Sequence, residues 1–355
     1  MLKEKRLIIA VLVLAALMTA CSKNNAGEEG SSGSSNEIVL SNDNKEEPNI
    51  DEDEEDEEED VLEKPDEELR IDVKAAVVGD CTGIGFAPIM GWGEKDKNHE
   101  KYTLTVAKTA DEVCELVKNG EADVAILPLD KAIELYRADK SVEVLATNTY
   151  NNIYIADTTD SRKTKADLAG QAVYVADDGS LLVNVAKTVI TSSGAQVQTM
   201  ADNEEIRKAL SEGTVNLAAV AEPYITLAKM KNDDIEMGPD VSEIWKEDHV
   251  SDIISSVLVA RRDFVEENKD SVIYIIDDFK QSVNTVIHGV TKTLEWTTSF
   301  KIVEDKGLAI STMKNCNYNF TEGMEMRAAV ESFLEDNKDF IGELPEDDFY
   351  YTAKE

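Results

Sequence analysis

Apolar positions fall along this chain in three regimes. Leu7 to Ala20 is one apolar-to-small run of 14 residues behind Lys3, Lys5 and Arg6. Residues 22–71 have almost no apolar periodicity. From Ile71 onward, short apolar runs alternate with amphipathic stretches. Val73–Val78, Tyr102–Ala107, Asp123–Leu127 and Val142–Thr147 read as strands, and Ala110–Asn119 and Leu129–Ala138 as helices. After a crossing at Ile153–Ala156 the alternation restarts. Ala172–Ala176, Val197–Met200 and Leu217–Val220 are the strands of this second series, and Leu181–Ser192, Asn203–Ser211 and Tyr224–Lys231 its helices. Ile253–Ala260 is a last strand, and everything past Asp263 reads as helical to about Asn337.

Repeated β-α units call for mostly parallel sheets flanked by helices on both faces. Two such series predict an α/β fold of two lobes with a helical C-terminal tail. The late strand at Ile253 sends the chain back to its starting lobe. The expected organisation is therefore 72–150 for the first part of lobe I, 151–252 for lobe II, and 253–355 for the return to lobe I and the helical segment. Asn148–Tyr154 and Val250–Asp252 would be the two connections. Ligands of such sheets sit outside the carboxyl ends of the strands, which here means the cleft between the lobes.

Composition adds an address and removes some partners. A positive start followed by a short apolar run is the order of a secretory signal, assigned to residues 1–20, and 14 residues is short for a span, which needs roughly 20. Small residues before a cysteine, Leu17-Met18-Thr19-Ala20-Cys21, resemble the lipobox of bacterial lipoproteins. That resemblance implies lipid on Cys21 and a place on the extracytoplasmic face of the cell membrane; the competing reading is an uncleaved anchor with an incidental cysteine. Each buried methylene contributes about 0.8 kcal/mol, so a diacylglyceryl group would hold the chain without a transmembrane helix. Residues 21–71 run through Gly, Ser and Asn into the all-acidic stretch Asp51–Asp60, expected to be a disordered tether extended by self-repulsion. The stretch lacks the glycine on which a calcium loop turns. The net charge of −37 opposes nucleic acid and anionic membrane surfaces as partners. Beyond Cys21 only Cys81, Cys114 and Cys316 occur, and an odd number argues against a disulfide framework, with their pairing left open.

A family resemblance covers Asp72 to the end. Its markers are Gly79-Asp80-Cys81-Thr82-Gly83-Ile84-Gly85 after the first strand and Gly120-Glu121-Ala122-Asp123-Val124-Ala125-Ile126-Leu127-Pro128 further on. Ala221-Glu222-Pro223-Tyr224 and Val257-Leu258-Val259-Ala260-Arg261-Arg262-Asp263-Phe264 follow, and Gly342 to Tyr351 closes the set. In this order they resemble the solute-binding lipoproteins of ABC importers, in the superfamily that includes aliphatic-sulfonate binders and thiamine-pyrimidine synthases. The resemblance implies the two-lobed type II periplasmic-binding-protein fold, a small-molecule solute, a permease with its ATPase as partners, and a monomer. Asp80-Cys81 stands where Gly-Pro is common in that family, and Asp177-Asp178 where small or basic residues are frequent. The ligand therefore does not carry over.

Candidate ligand residues lie at strand ends. In the first loop these are Asp80, Thr82 and Gly83, where glycines permit positive φ and close approach of a ligand. Pro128 suits the first turn of the next helix, and Asn148 begins the crossing. Asp178, Gly179 and Ser180 precede the helix from Leu181, which Asp178 or Ser180 can cap. Glu222 and Tyr224 follow the strand Leu217–Val220. Trp92, Tyr150 and Trp245 are possible stacking surfaces, each more often a packing residue. No cofactor is implied: His99, His249 and His288 are isolated, and neither G-x-S-x-G nor H-E-x-x-H occurs, so an enzyme is not expected. Cys81 alone does not match the cysteine-rich motif of the thiamine-pyrimidine synthases. Acidic loops without Lys or Arg point to a neutral or cationic solute such as a thiamine-pyrimidine-type heteroaromatic. A sulfonate or taurine-type anion is the alternative ligand, since helix N-termini bind anions. A sensor or adhesin on the same fold is the alternative role.

Overall fold

The structure, a computed structural model, describes residues 71–93 and 101–352. The signal run, Cys21 and the acidic stretch lie outside the described residues. Ten strands occur among the described residues: β1 (Val73–Val78), β2 (Tyr102–Ala107), β3 (Val124–Pro128), β4 (Val142–Tyr150), β5 (Ile153–Asp157), β6 (Ala172–Ala176), β7 (Gln196–Met200), β8 (Leu217–Ala221), β9 (Glu236–Met237) and β10 (Ile254–Arg261).

They form two five-stranded sheets, ordered β2-β1-β3-β10-β4 and β7-β6-β8-β5-β9. Each sheet has the same plan. Three strands run parallel, and the fourth is an antiparallel strand that has just arrived from the other lobe. In the first sheet that strand is β10, antiparallel to both β3 and β4; in the second it is β5, antiparallel to β8. The central strands β1, β3, β8 and β10 are buried nearly throughout, as helices on both faces require. Some of the helices start where side chains take up free N–H groups. The Thr109 side chain accepts from Glu112 N ahead of Ala110–Lys118, and Asp202 accepts from Glu205 N ahead of Asn203–Ser211.

Two elements depart from the sequence pattern. β4 does not stop at Thr147 but continues to Tyr150, because Thr149 and Tyr150 pair with Ser256 and Ile254 of β10. The first crossing is thereby reduced to Asn151 and Asn152, with Asn151 at φ 24°. The C-terminal region is helical in separate pieces: Arg262–Glu267, Lys269–His288, Val290–Ser299, Lys306–Asn315, Gly323–Asp336 and Lys338–Ile341. Gly323–Asp336 packs on β4, while Lys306–Asn315 packs on Tyr224–Lys229 and Lys338–Ile341 on Leu181–Ser192 of lobe II. The tail thus returns to lobe I and also reaches across to the second. One hydrophobic cluster contains Leu129 and Ile133 of lobe I, Leu181 and Val185 of lobe II, and Phe333 of the tail. Trp245, 1% exposed, packs edge-on against Phe333, which makes it a core residue between lobe II and the tail. No helix among the described residues is long and apolar enough to cross a membrane.

Candidate functional site

The loop after β1 winds directly into a 3-10 helix, Thr82–Phe86, and then into the helix Ala87–Gly93. None of its glycines has a positive φ. They are required for close approach of the chain to itself: a Cβ on Gly83 would sit 2.2 Å from the Val78 carbonyl oxygen, and one on Gly85 2.4 Å from Asn148 Oδ1. Asp80 folds back over this loop. Its Oδ1 accepts from Thr82 N at 2.8 Å and from Thr82 Oγ1 at 2.6 Å. Burial nevertheless pushes its carboxyl above the ordinary 3.8. Asn148, fully buried, lies beneath the loop and donates to the Thr82 carbonyl at 3.0 Å and to Ser256 Oγ at 2.9 Å. Its effect on a ligand would pass through Thr82.

Across the cleft, Glu222 follows β8 and is 5% exposed. Its backbone N–H donates to the Asn152 carbonyl at 2.9 Å, which holds the end of β8 to the crossing. Oε1 accepts from Thr226 Oγ1 at 2.8 Å and from Asn315 Nδ2 at 2.5 Å. Oε2 is buried without a donor, and so is Asn152 Oδ1. Burial raises the Glu222 carboxyl above its ordinary 4.5. Neither Asp80 nor Glu222 pairs with a Lys or Arg among the described residues, so nothing basic offsets either charge.

Residues 315–318 join the two sides. A disulfide links Cys81 to Cys316 across 235 residues, and Cys114 is a buried free thiol. The Tyr318 hydroxyl donates to the Cys81 carbonyl. Asn317 Nδ2 donates to the Asn151 carbonyl at 2.6 Å and to the Tyr154 hydroxyl at 3.0 Å, and that hydroxyl donates to the Asn315 carbonyl. Burial, and then the charges of Asp80 and Glu222, hold the Tyr318 hydroxyl well above the ordinary 10. The Tyr224 hydroxyl is likewise raised by burial and then by Asp80. Behind Tyr318 a cavity of about 280 Å³ is lined by Val286, Ile287, Val290, Met313, Lys314, Asn317 and Tyr318.

Residues 315–318 therefore join the loop that carries Asp80 and Thr82 to Glu222, and Tyr224 begins the helix Tyr224–Lys229 two residues after Glu222. Gly83 is buried in the loop that carries Thr82. Pro128 precedes the helix Leu129–Asp139 and pairs with Ser256 on β10. Asp178 and Gly179 are exposed, with Gly179 at φ +74°, and Ser180 caps the helix Leu181–Ser192 by accepting from Val183 N at 3.4 Å. Asn315, Asn317, Tyr318 and Asn152 belong to the cluster but carry no sequence pattern that singles them out. The one available signal was the cysteine inside Asn315-Cys316-Asn317-Tyr318.

This architecture is the type II periplasmic-binding-protein fold, and solved structures share it. An ABC transporter structure from Parabacteroides distasonis superposes with a TM-score of 0.65 at 18% identity, covering 80% of this chain and 99% of that one. The periplasmic aliphatic sulphonate binding protein SsuA from Escherichia coli gives 0.59 at 16%, covering 75% and 87%. The ligand binding component of an ABC-type import system from Staphylococcus aureus, solved with zinc bound, gives 0.57 at 14%, covering 80% and 97%. No protein-family model and no curated protein matches the chain.

Proposed function

We propose that this protein is an extracytoplasmic solute-binding lipoprotein of an ABC importer, anchored by lipid on Cys21 and acting as a monomer. A small solute enters the cleft and touches the loop at Asp80 and Thr82 on one side and Glu222 and Tyr224 on the other. Ligand that contacts both lobes favours their closed arrangement, the form a permease and its ATPase would recognise. The tether raises the effective concentration of the lobes at the permease. Binding rather than catalysis is the activity.

The observation that carries the ligand class is Glu222. A buried carboxylate with one oxygen lacking any donor costs free energy until something donates to it. Asn152 Oδ1, on the residue paired with Glu222, has the same deficit. A solute with N–H donors and no negative charge meets both needs, so a neutral or cationic compound such as a thiamine-pyrimidine-type heteroaromatic amine is favoured. Thermal-shift assays and calorimetry with pyrimidine amines, other amines, vitamins and sulfonates test this. An amine should raise the melting temperature; tight binding of taurine or an alkanesulfonate would overturn the ligand class.

A further inference from the structure

The helix Leu181–Ser192 begins at the cleft in lobe II, and its first N–H is already taken. Asp130, in the first turn of the lobe I helix Leu129–Asp139, accepts from Leu181 N through Oδ2 at 3.1 Å. Its Oδ1 accepts from Lys131 N, also at 3.1 Å. A carboxylate at a helix N-terminus is favoured by the N–H groups and the helix dipole together, and this one comes from the opposite lobe. The contact is bordered by apolar residues from both sides, Leu129 at 1% exposure and Leu181 at 2%, members of the cluster that spans the lobes. Water competes poorly for such a bond, which strengthens it.

The same substitution of a side chain for a ligand occurs in the loop after β1. There Asp80 occupies the Thr82 N–H. Asp178 does so for Ser180 N at 2.9 Å. One backbone donor in each of these two loops, Thr82 N and Ser180 N, is thus taken by a carboxylate of the chain itself.

We propose that Asp130 is a built-in anion that latches the two lobes together and bars anionic solutes from the start of the helix Leu181–Ser192. The barrier half of this proposal rests on solute capture in the cleft; the latch half does not. Without its latch, the solute-free protein spends more time open, and the freed N–H groups become available to an external anion.

The test uses the mature chain with Cys21→Ser, which keeps it unlipidated, and compares it with Asp130→Ala and Asp130→Asn. Solute-free small-angle scattering reads the latch, and calorimetry with ethanesulfonate reads the barrier. Asp130→Ala should shift the scattering to a larger radius of gyration and gain millimolar ethanesulfonate binding that the parent lacks. Asp130→Asn, nearly the same size but neutral, should move both readouts the same way by less, and it carries the test if the alanine variant does not fold. Unchanged scattering in the variants would overturn the latch, and equal ethanesulfonate binding by parent and variants would overturn the barrier. An amine that binds the parent while both readouts stay unchanged would leave solute capture standing and the Asp130 proposal refuted. Expansion of the variants with no solute bound by the parent would do the reverse.

Discussion

Glu222 has two donors on one carboxylate oxygen and none on the other, and this asymmetry sets what the residue should do. Its folded pKa is raised above 4.5 by burial, so the folded protein holds its proton more tightly than the unfolded chain. The stability it contributes is complete below the unfolded value and is lost as pH rises through the folded one. Glu222→Gln removes the charge, so at neutral pH the solute-free variant should melt higher than the parent, and the difference should vanish on acidification toward the unfolded carboxylate range. Affinity should change oppositely. Loss of a charged acceptor should weaken binding of a cationic solute by roughly 10–100-fold in calorimetry. In the parent, that affinity should fall as pH drops through the raised range of Asp80 and Glu222. Affinity that is flat with pH would remove these two carboxylates from the site. Asp80 and Glu222 were legible in the sequence because acidic residues just past a strand end face the cleft of an α/β sheet. Asn315, Asn317 and Tyr318 were not, since they reach the site through side-chain bonds to residues more than 90 positions away, and no local periodicity encodes such pairings.

At the scale of elements, the loop after β1 is held from three sides: by its own 3-10 helix, by Asn148 below, and by the Cys81–Cys316 disulfide. A methyl group on Gly85 would displace the Asn148 side chain and with it the bond to the Thr82 carbonyl. Gly85→Ala should therefore lower stability by about 1–3 kcal/mol in urea unfolding. The disulfide fixes residues 315–318 against the loop, and Asn315 holds Glu222 in turn. Replacing both Cys81 and Cys316 with serine should cost about 2–5 kcal/mol and also weaken solute binding. Unchanged affinity in that variant would mean that Asn315 orients Glu222 without help from the bridge. The count of three cysteines beyond Cys21 argued against bridging as a framework, and one bridge with one buried thiol satisfies that arithmetic while still tying the site together. Strand positions followed from apolar runs, because strands buried on both faces are unbroken in hydrophobicity. β4 overran its expected end because Asn148 and Thr149 are polar and wholly buried, bonded through Asn148 Nδ2 and Thr149 Oγ1 to Ser256 on β10 in a way that hydropathy does not register. The tail read as one helical expanse, whereas the structure breaks it at Asn268, Gly289, residues 300–305, residues 316–322 and Asn337.

At the scale of the whole molecule, the return of the chain to its first sheet was legible from the late strand at Ile253, whereas the antiparallel sense of β10 and β5 was not. The reach of the tail into lobe II was not. Helices that cover one sheet look the same in sequence as helices that bridge two, and contacts such as Trp245 against Phe333 and Asn184 against Asn337 at 3.3 Å distinguish them. The solute proposed for the cleft is small, with N–H donors and no negative charge. The most direct measurement is mass spectrometry of small molecules released on denaturing the purified chain, with the Asp80→Asn, Glu222→Gln double variant purified in parallel. A neutral or cationic nitrogen compound is expected at close to one per parent chain and absent from the variant. A sulfonate or other anion, or the same compound held equally by the variant, would contradict it.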